Sequence, residues 1–407
     1  MNKYDKYIIK NLLIKFGGRN SNSADYDILE KSNNSELSIM NKKLSQSIKL
    51  IEIDDEKKNN IKCCIESIGK GTFGTVYRGL DENTGNMVII KKINITNKKG
   101  GDKMKSKIES EIEIMKMLDD KHFIKLLGNN SSIEYDSEEE HEIKKEIIEI
   151  HMEDVCGKSL KNISKSLGGL NLNLVKKYGY EIAKGLEYLH NNNIIHMDIK
   201  ADNILLSNKG EIKIIDFGES IIPSFISLMK KTFNIPFAGT ESHMSPEIFI
   251  QMNPYIENIN KEINKKNIGK SDIWSFGIVL VEIFVGEINE LEHKNNNSNI
   301  SIVRQMMSTN NLEYTCDKIL FICLNSILQK INIESTSKDV ANIITDIITD
   351  DTINDDILYY IDFICCCLEK NIDRRLSAKQ LLEHYFIDST KIKKFMSNNF
   401  ISLGISL

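Results

Sequence analysis

The 407-residue sequence has no apolar run long enough to cross a bilayer, which takes about 20 consecutive apolar residues. Its N-terminal region has no uninterrupted apolar stretch ending in a small-residue cleavage site, so secretion is not expected. No charge of one sign dominates: the formal net charge of −5 gives no general pull toward nucleic acid. Cysteine is present without metal-ligand spacing. Cys63, Cys64, Cys156, Cys316, Cys323 and the triplet Cys365 to Cys367 match no zinc pattern, and the eight histidines form no ligand cluster along the sequence. The thiols are therefore expected to be reduced and used as small hydrophobes, and the chain to be cytoplasmic. With 41% hydrophobic and 27% charged residues, it can bury one or two sizeable cores.

What is present concentrates in residues 196–218, HMDIKADNILLSNKGEIKIIDFG. Ile204 to Leu206 is a short apolar run, Ser207 to Gly210 is turn chemistry, and Glu211 to Ile215 is mostly apolar and β-branched. That pattern predicts a hairpin, which returns the chain to its start and brings Asn203 at the entry close to Asp216 at the exit. An amide oxygen and a carboxylate are the hard ligands Mg²⁺ takes beside phosphates. Asp198 stands nearby as a base for an attacking hydroxyl, and Lys200 adds positive charge where a transferring phosphoryl would sit. In such a transfer, positioning and charge stabilisation supply nearly all of the catalysis.

Upstream, Ile68 to Gly79 reads IGKGTFGTVYRG. Gly69, Gly71 and Gly74 can bring backbone close to phosphates, and Val76 can cover a flat base. A lone GxGxxG equally suits a dinucleotide-binding turn, but that motif needs a following helix. Here GTVYRGL continues as a strand, Asp81 to Asn86 makes a turn, and Met87 to Ile93 is a second strand carrying Lys91. Next, Met104, Ile108, Ile112, Met115 and Leu118 mark one face of a helix. Glu111 falls on that face and needs a partner, for which Lys91 is the obvious candidate. Glu109 and Glu113 point away and are expected to be solvated.

Together these motifs resemble the eukaryotic-type serine/threonine protein kinases, over roughly residues 62–388. IHMEDVCGKSL and GTESHMSPE look like MAP kinase kinases, and IGKGTFGTVYRGLDENTG is closer to MAP kinase kinase kinases and their sterile-type relatives. The resemblance implies an α+β bilobal fold with a small β-rich lobe (62–152) bearing one main helix, a hinge (153–157) and a larger, mostly helical lobe (158–388). A low-complexity, largely disordered leader (1–61) and a tail (389–407) would flank it. ATP and Mg²⁺ are the implied cofactors. Ile68, Gly69, Lys70, Gly71, Thr72, Phe73, Gly74 and Val76 would hold the nucleotide, with Lys91 paired to Glu111 on its phosphates. Glu153 and Val155 would hold the adenine edge, with Met152 guarding the back pocket and Leu205 as the floor. Asp198 and Lys200 would be catalytic and Asn203 and Asp216 metal ligands. Asp272 would brace the catalytic loop, and Arg375 would pair with Glu247. Lys200 two residues after Asp198 is serine/threonine wording. The implied partners are a protein substrate and components of a MAP kinase cascade.

Some positions depart from the family pattern. Met197 stands where most such kinases have arginine, a cation that pairs with a phosphate on the activation segment, for which Ser220, Ser224, Ser227 and Thr232 are candidates. Glu241 replaces a proline, His243 an aromatic residue and Ile89 a small alanine. Residues 253–267 and about 289–356 read as insertions, a product of codon bias without function. At the N-terminus Ile8, Ile9, Leu12, Leu13 and Phe16 recur at helical spacing among Lys3, Lys6, Lys10, Lys15 and Arg19. Such a basic amphipathic helix either packs on the small lobe or meets an anionic membrane surface or a docking groove.

Overall fold

The computed structural model describes residues 61–71, 74–96, 101–134, 145–223, 239–248, 267–288, 312–333, 340 and 355–388. Residues 1–60 of the leader, Thr72, Phe73, Ser224, Ser227, Thr232 and nearly all of 253–267 lie outside them, while Ile61, the last residue assigned to the leader, already belongs to the first strand. Elements are numbered along the described residues, which fall into two compact units. One lies within residues 61–154, and the other runs from Val155 onward and includes residues 120–123.

The first unit is an antiparallel sheet of β1 (Ile61–Gly71), β2 (Gly74–Asp81), β3 (Met87–Thr96), β4 (Leu126–Glu134) and β5 (Lys145–Glu153), in the order β1-β2-β3-β5-β4. No helix follows the glycine-rich stretch: β1 pairs directly with β2, with Gly71 opposite Gly74. The β2–β3 turn is held by its own side chains. Asp81 Oδ1 accepts from the Asn83 N–H (2.9 Å), and Gly85 takes the left-handed conformation, φ 71°. Helix α1 (Gly101–Met117) places Ile108, Ile112 and Met115 in the core, as their spacing requires. Glu113 is exposed as expected, but Glu109 is half-buried. Burial and the neighbouring Glu146 raise its carboxyl above the ordinary range against the pull of Lys105.

In the second unit, β6 (Lys158–Ser159), β7 (Ile204–Leu206) and β8 (Ile212–Ile214) form a small sheet beside α2 (Leu160–Leu167) and α3 (Leu172–Asn191). Ser159 Oγ caps α2 at the Asn162 N–H, and Asn171 Oδ1 caps α3 at the Leu174 N–H, each worth about 1 kcal/mol. Helix α4 (Lys270–Val285) is buried on every side up to Phe284, as its continuously apolar sequence predicts. Around it pack α3, α5 (Leu312–Lys330) and α6 (Asp355–Cys367), while α7 (Ala378–Leu382) opens with a capping box at Ser377 and Gln380.

Helix α5 corrects the reading of 289–356 as one insertion without function. Cys323, Leu324, Ile327 and Leu328 are fully buried, so this segment is part of the core. Burial pushes the Cys316 and Cys323 thiols up to about 12, which keeps them protonated as small hydrophobes.

Candidate active site

In the first unit, Lys91 on β3 and Glu111 on α1 meet, with Lys91 Nζ donating to Glu111 Oε1 at 2.7 Å. Lys91 has Val76 on β2 and Ile150 on β5 as its cross-strand neighbours, and Ile89 stands opposite Met152. The glycines differ in what they do. A Cβ on Gly74 would lie 2.3 Å from Lys92 O, so glycine there lets β2 approach β3. Among the described residues, nothing lies within 4 Å of such a Cβ on Gly69. Ile68 is exposed, and β5 continues through Glu153, whose N–H donates to Lys125 O at 3.0 Å.

The second unit holds the loop of residues 196–203. Asp272, at the start of α4, accepts from the backbone N–H groups of His196 and Met197, both at 2.9 Å, and lies 3.0 Å from His190 Nε2. His196 Nδ1 accepts the Asp198 N–H, which leaves Nε2–H to donate to Ile215 O at 3.1 Å. This fully buried ring therefore ties the loop to the residue that follows β8 and packs 5.1 Å from the Phe217 ring. The Ile215 N–H donates to Asn203 O at 2.9 Å, so the hairpin joins its two ends as the sequence predicts. Met197 and Asp216 both have positive φ, 68° and 66°, a conformation that costs a non-glycine residue about 1–3 kcal/mol and marks functional loops.

The Asp198 carboxylate is held on both oxygens. Oδ2 accepts from Lys200 Nζ (2.8 Å) and Asn203 Nδ2 (3.0 Å). Oδ1 accepts from the Thr240 N–H (2.9 Å) and Oγ1–H (2.8 Å), and Lys200 Nζ also reaches Thr240 Oγ1 (2.9 Å). Burial by itself would raise the Asp198 carboxyl, but Lys200 and Thr240 outweigh it and hold it below the ordinary carboxylate range. With its amide nitrogen committed to Asp198, Asn203 presents its oxygen. An amide oxygen and a carboxylate, the groups Asn203 and Asp216 carry at the two ends of the hairpin, are ligands that suit a hard divalent cation such as Mg²⁺.

Sequence reasoning missed Thr240, because its contact with Asp198 joins residues 42 apart in the chain. Ser220, expected as a modification site, is buried, and its Oγ donates to His196 O at 3.1 Å. Leu205 lies on β7 opposite Ser159, and Val155 is buried. Arg375 grips Glu247 through Nη1 (2.7 Å) and Nη2 (3.0 Å), as the resemblance implied.

The fold also gathers Asp362, Cys366 and His384, with ligand atoms within 4.8 Å of one another, a cluster the sequence concealed. His384 Nδ1 accepts the Phe386 N–H (3.1 Å), so the proton sits on Nε2 and faces Asp362 Oδ2 at 3.0 Å. The nitrogen a metal would take is thus engaged in a buried histidine–carboxylate hydrogen bond.

The protein kinase domain profile matches residues 64–387. The chain is 30% identical over 336 residues to the serine/threonine-protein kinase dst2 of Dictyostelium discoideum, covering 82% of this chain and 23% of that protein. It is 31% identical over 220 residues to mitogen-activated protein kinase kinase kinase A of the same organism, covering 53% and 20%. Against mitogen-activated protein kinase kinase kinase 3 of Arabidopsis thaliana it is 27% identical over 324 residues, covering 79% and 42%. The chain thus spans less than half the length of each of these relatives.

Proposed function

Because this chain belongs to the protein kinase domain family, we propose that it transfers the γ-phosphoryl of ATP to serine or threonine hydroxyls of a protein substrate. The observation that carries this reading is the Asp198 carboxylate, kept ionised and aimed by Lys200, Asn203 and Thr240. Asp198 accepts the acceptor hydroxyl's proton as the hydroxyl oxygen bonds to the γ-phosphorus, and the bond from that phosphorus to the bridging oxygen breaks to release ADP. Lys200, bonded to both Asp198 and Thr240, stabilises charge that builds on the phosphoryl oxygens. Asn203 and Asp216 would hold Mg²⁺, which supplies charge neutralisation on the phosphates. Lys91, oriented by Glu111, would bind the α- and β-phosphates. The N–H of Glu153 is engaged by Lys125 O, so its backbone would meet adenine through the carbonyl.

A place among the kinases that feed MAP kinase cascades is supported by the relatives named above, and cytoplasmic location goes with it as part of the proposal. The test is incubation with labelled ATP and Mg²⁺, with and without myelin basic protein, followed by phosphoamino-acid analysis. Label on serine or threonine is expected. Label on tyrosine alone, or no transfer, would overturn the assignment.

A further inference from the structure

Four side chains beside the catalytic loop take no part in the steps above. Lys161 Nζ, on α2, lies 3.6 Å from Asp202 Oδ2 and 3.4 Å from Glu282 Oε1, and His243 Nε2 lies 3.4 Å from Glu282 Oε2. Glu282 on α4 and His243 are both buried. Both ends of this chain of contacts return to the base. The His243 N–H donates to Thr240 O at 2.9 Å, and Thr240 holds Asp198 Oδ1. Asp202 adjoins Asn203, which holds Asp198 Oδ2. The His243 carbonyl is fastened to α4 by the Ser275 hydroxyl at 2.7 Å, and its ring adds a second tie to the same helix.

Resting on the reaction proposed above, we propose that His243 is a positioning residue whose protonation tightens the segment carrying Thr240 and so improves capture of the protein acceptor. Imidazole is the side chain whose charge changes in the physiological pH range. The groups facing it or joined to it are Glu282 from α4, Lys161 from α2, Asp202 from the turn at Ala201–Asn203, and Ser242, whose Oγ is 3.0 Å from Nδ1. Protonation of His243 would add a positive charge directly beside the Glu282 carboxylate. Both ring nitrogens then donate, Nε2 to Glu282 and Nδ1 to Ser242, which fixes the turn Glu241–His243 against α4. Burial of Glu282 limits screening of that attraction by salt. The turn passes its position to Thr240 through the backbone hydrogen bond, and any acceptor hydroxyl must come to the carboxylate Thr240 holds.

The test measures kcat/KM for a protein acceptor between about pH 6 and 8, with the KM for ATP taken in parallel, on the full chain and on His243→Gln and Glu282→Gln. In the native chain, kcat/KM should fall about threefold or more as pH rises, through the acceptor's KM. Both variants should give flat profiles, and the KM for ATP should not follow pH in any of the three. Profiles parallel to the native one, or a pH dependence confined to the KM for ATP, would overturn the proposal. Should neither variant fold, as judged by thermal melting, NMR titration of the native chain decides: a His243 ring signal that does not titrate in this interval overturns it. Absence of any transfer by the native chain would instead defeat the kinase reading itself.

Discussion

At the scale of single residues, the account turns on how Asp198 is held. A carboxylate whose pKa is depressed by folding stabilises the fold above its unfolded value and loses that contribution as pH falls through the folded one. Because Lys200 and Thr240 depress Asp198 despite its burial, its carboxylate stays ionised below the ordinary aspartate value of about 4. At saturating acceptor, kcat should therefore hold from about pH 7 to 5 in folded protein. A tenfold fall across that interval with the melting transition intact would contradict it. Met197 supports a second prediction. Its Sδ meets the Ser271 hydroxyl at 3.8 Å, and a thioether cannot pair with a phosphate as arginine does. Phosphatase treatment should lower kcat by less than about tenfold, or ~1.4 kcal/mol of barrier. A hundredfold drop would point instead to a substitute cation such as Lys230 or Lys231, which lie outside the described residues. The residues legible in the sequence were those that one hairpin joins, Asn203 and Asp216, and those whose periodicity gave them a face, such as Glu111. Thr240 was not legible, because nothing local relates it to Asp198.

Among elements, strand and helix contacts separate two kinds of glycine. Gly74→Ala should lower the melting temperature, since a Cβ there lies 2.3 Å from backbone oxygen of β3, whereas Gly69→Ala meets nothing within 4 Å among the described residues and should leave stability nearly unchanged. Equal effects on melting would sink this distinction. Helix α5 is the larger lesson. Its sequence sits between an Asn-rich stretch and an acidic, Ile-rich one and resembled an insertion, yet Leu324 is fully buried. Leu324→Ala should cost about 2–5 kcal/mol, measured by denaturant unfolding. A change below about 0.5 kcal/mol would restore the insertion reading. Helices α1 and α4 were readable because one is amphipathic and the other apolar throughout. For α5, apolar positions alone did not reveal that α4 was there to receive them.

At the scale of the whole molecule, the chemistry is divided between two units: one presents Lys91 and Glu111, the other Asp198, Asn203 and Asp216. The α+β class was legible because a strand-turn-strand followed the glycine-rich motif and a continuously apolar helix followed the catalytic loop. The N-terminal amphipathic stretch lies outside the described residues, and its role rests on the sequence pattern alone. The central claim is that two carboxylates perform separable tasks, and transfer from labelled ATP by Asp198→Asn and Asp216→Asn, beside a Mg²⁺-dependent ATP-binding titration, tests it most directly. Both substitutions should reduce transfer by at least about 10²-fold in folded protein, and Asp216→Asn alone should also weaken Mg²⁺-dependent ATP binding. A well-folded Asp198→Asn protein that kept most of its transfer activity would contradict the account.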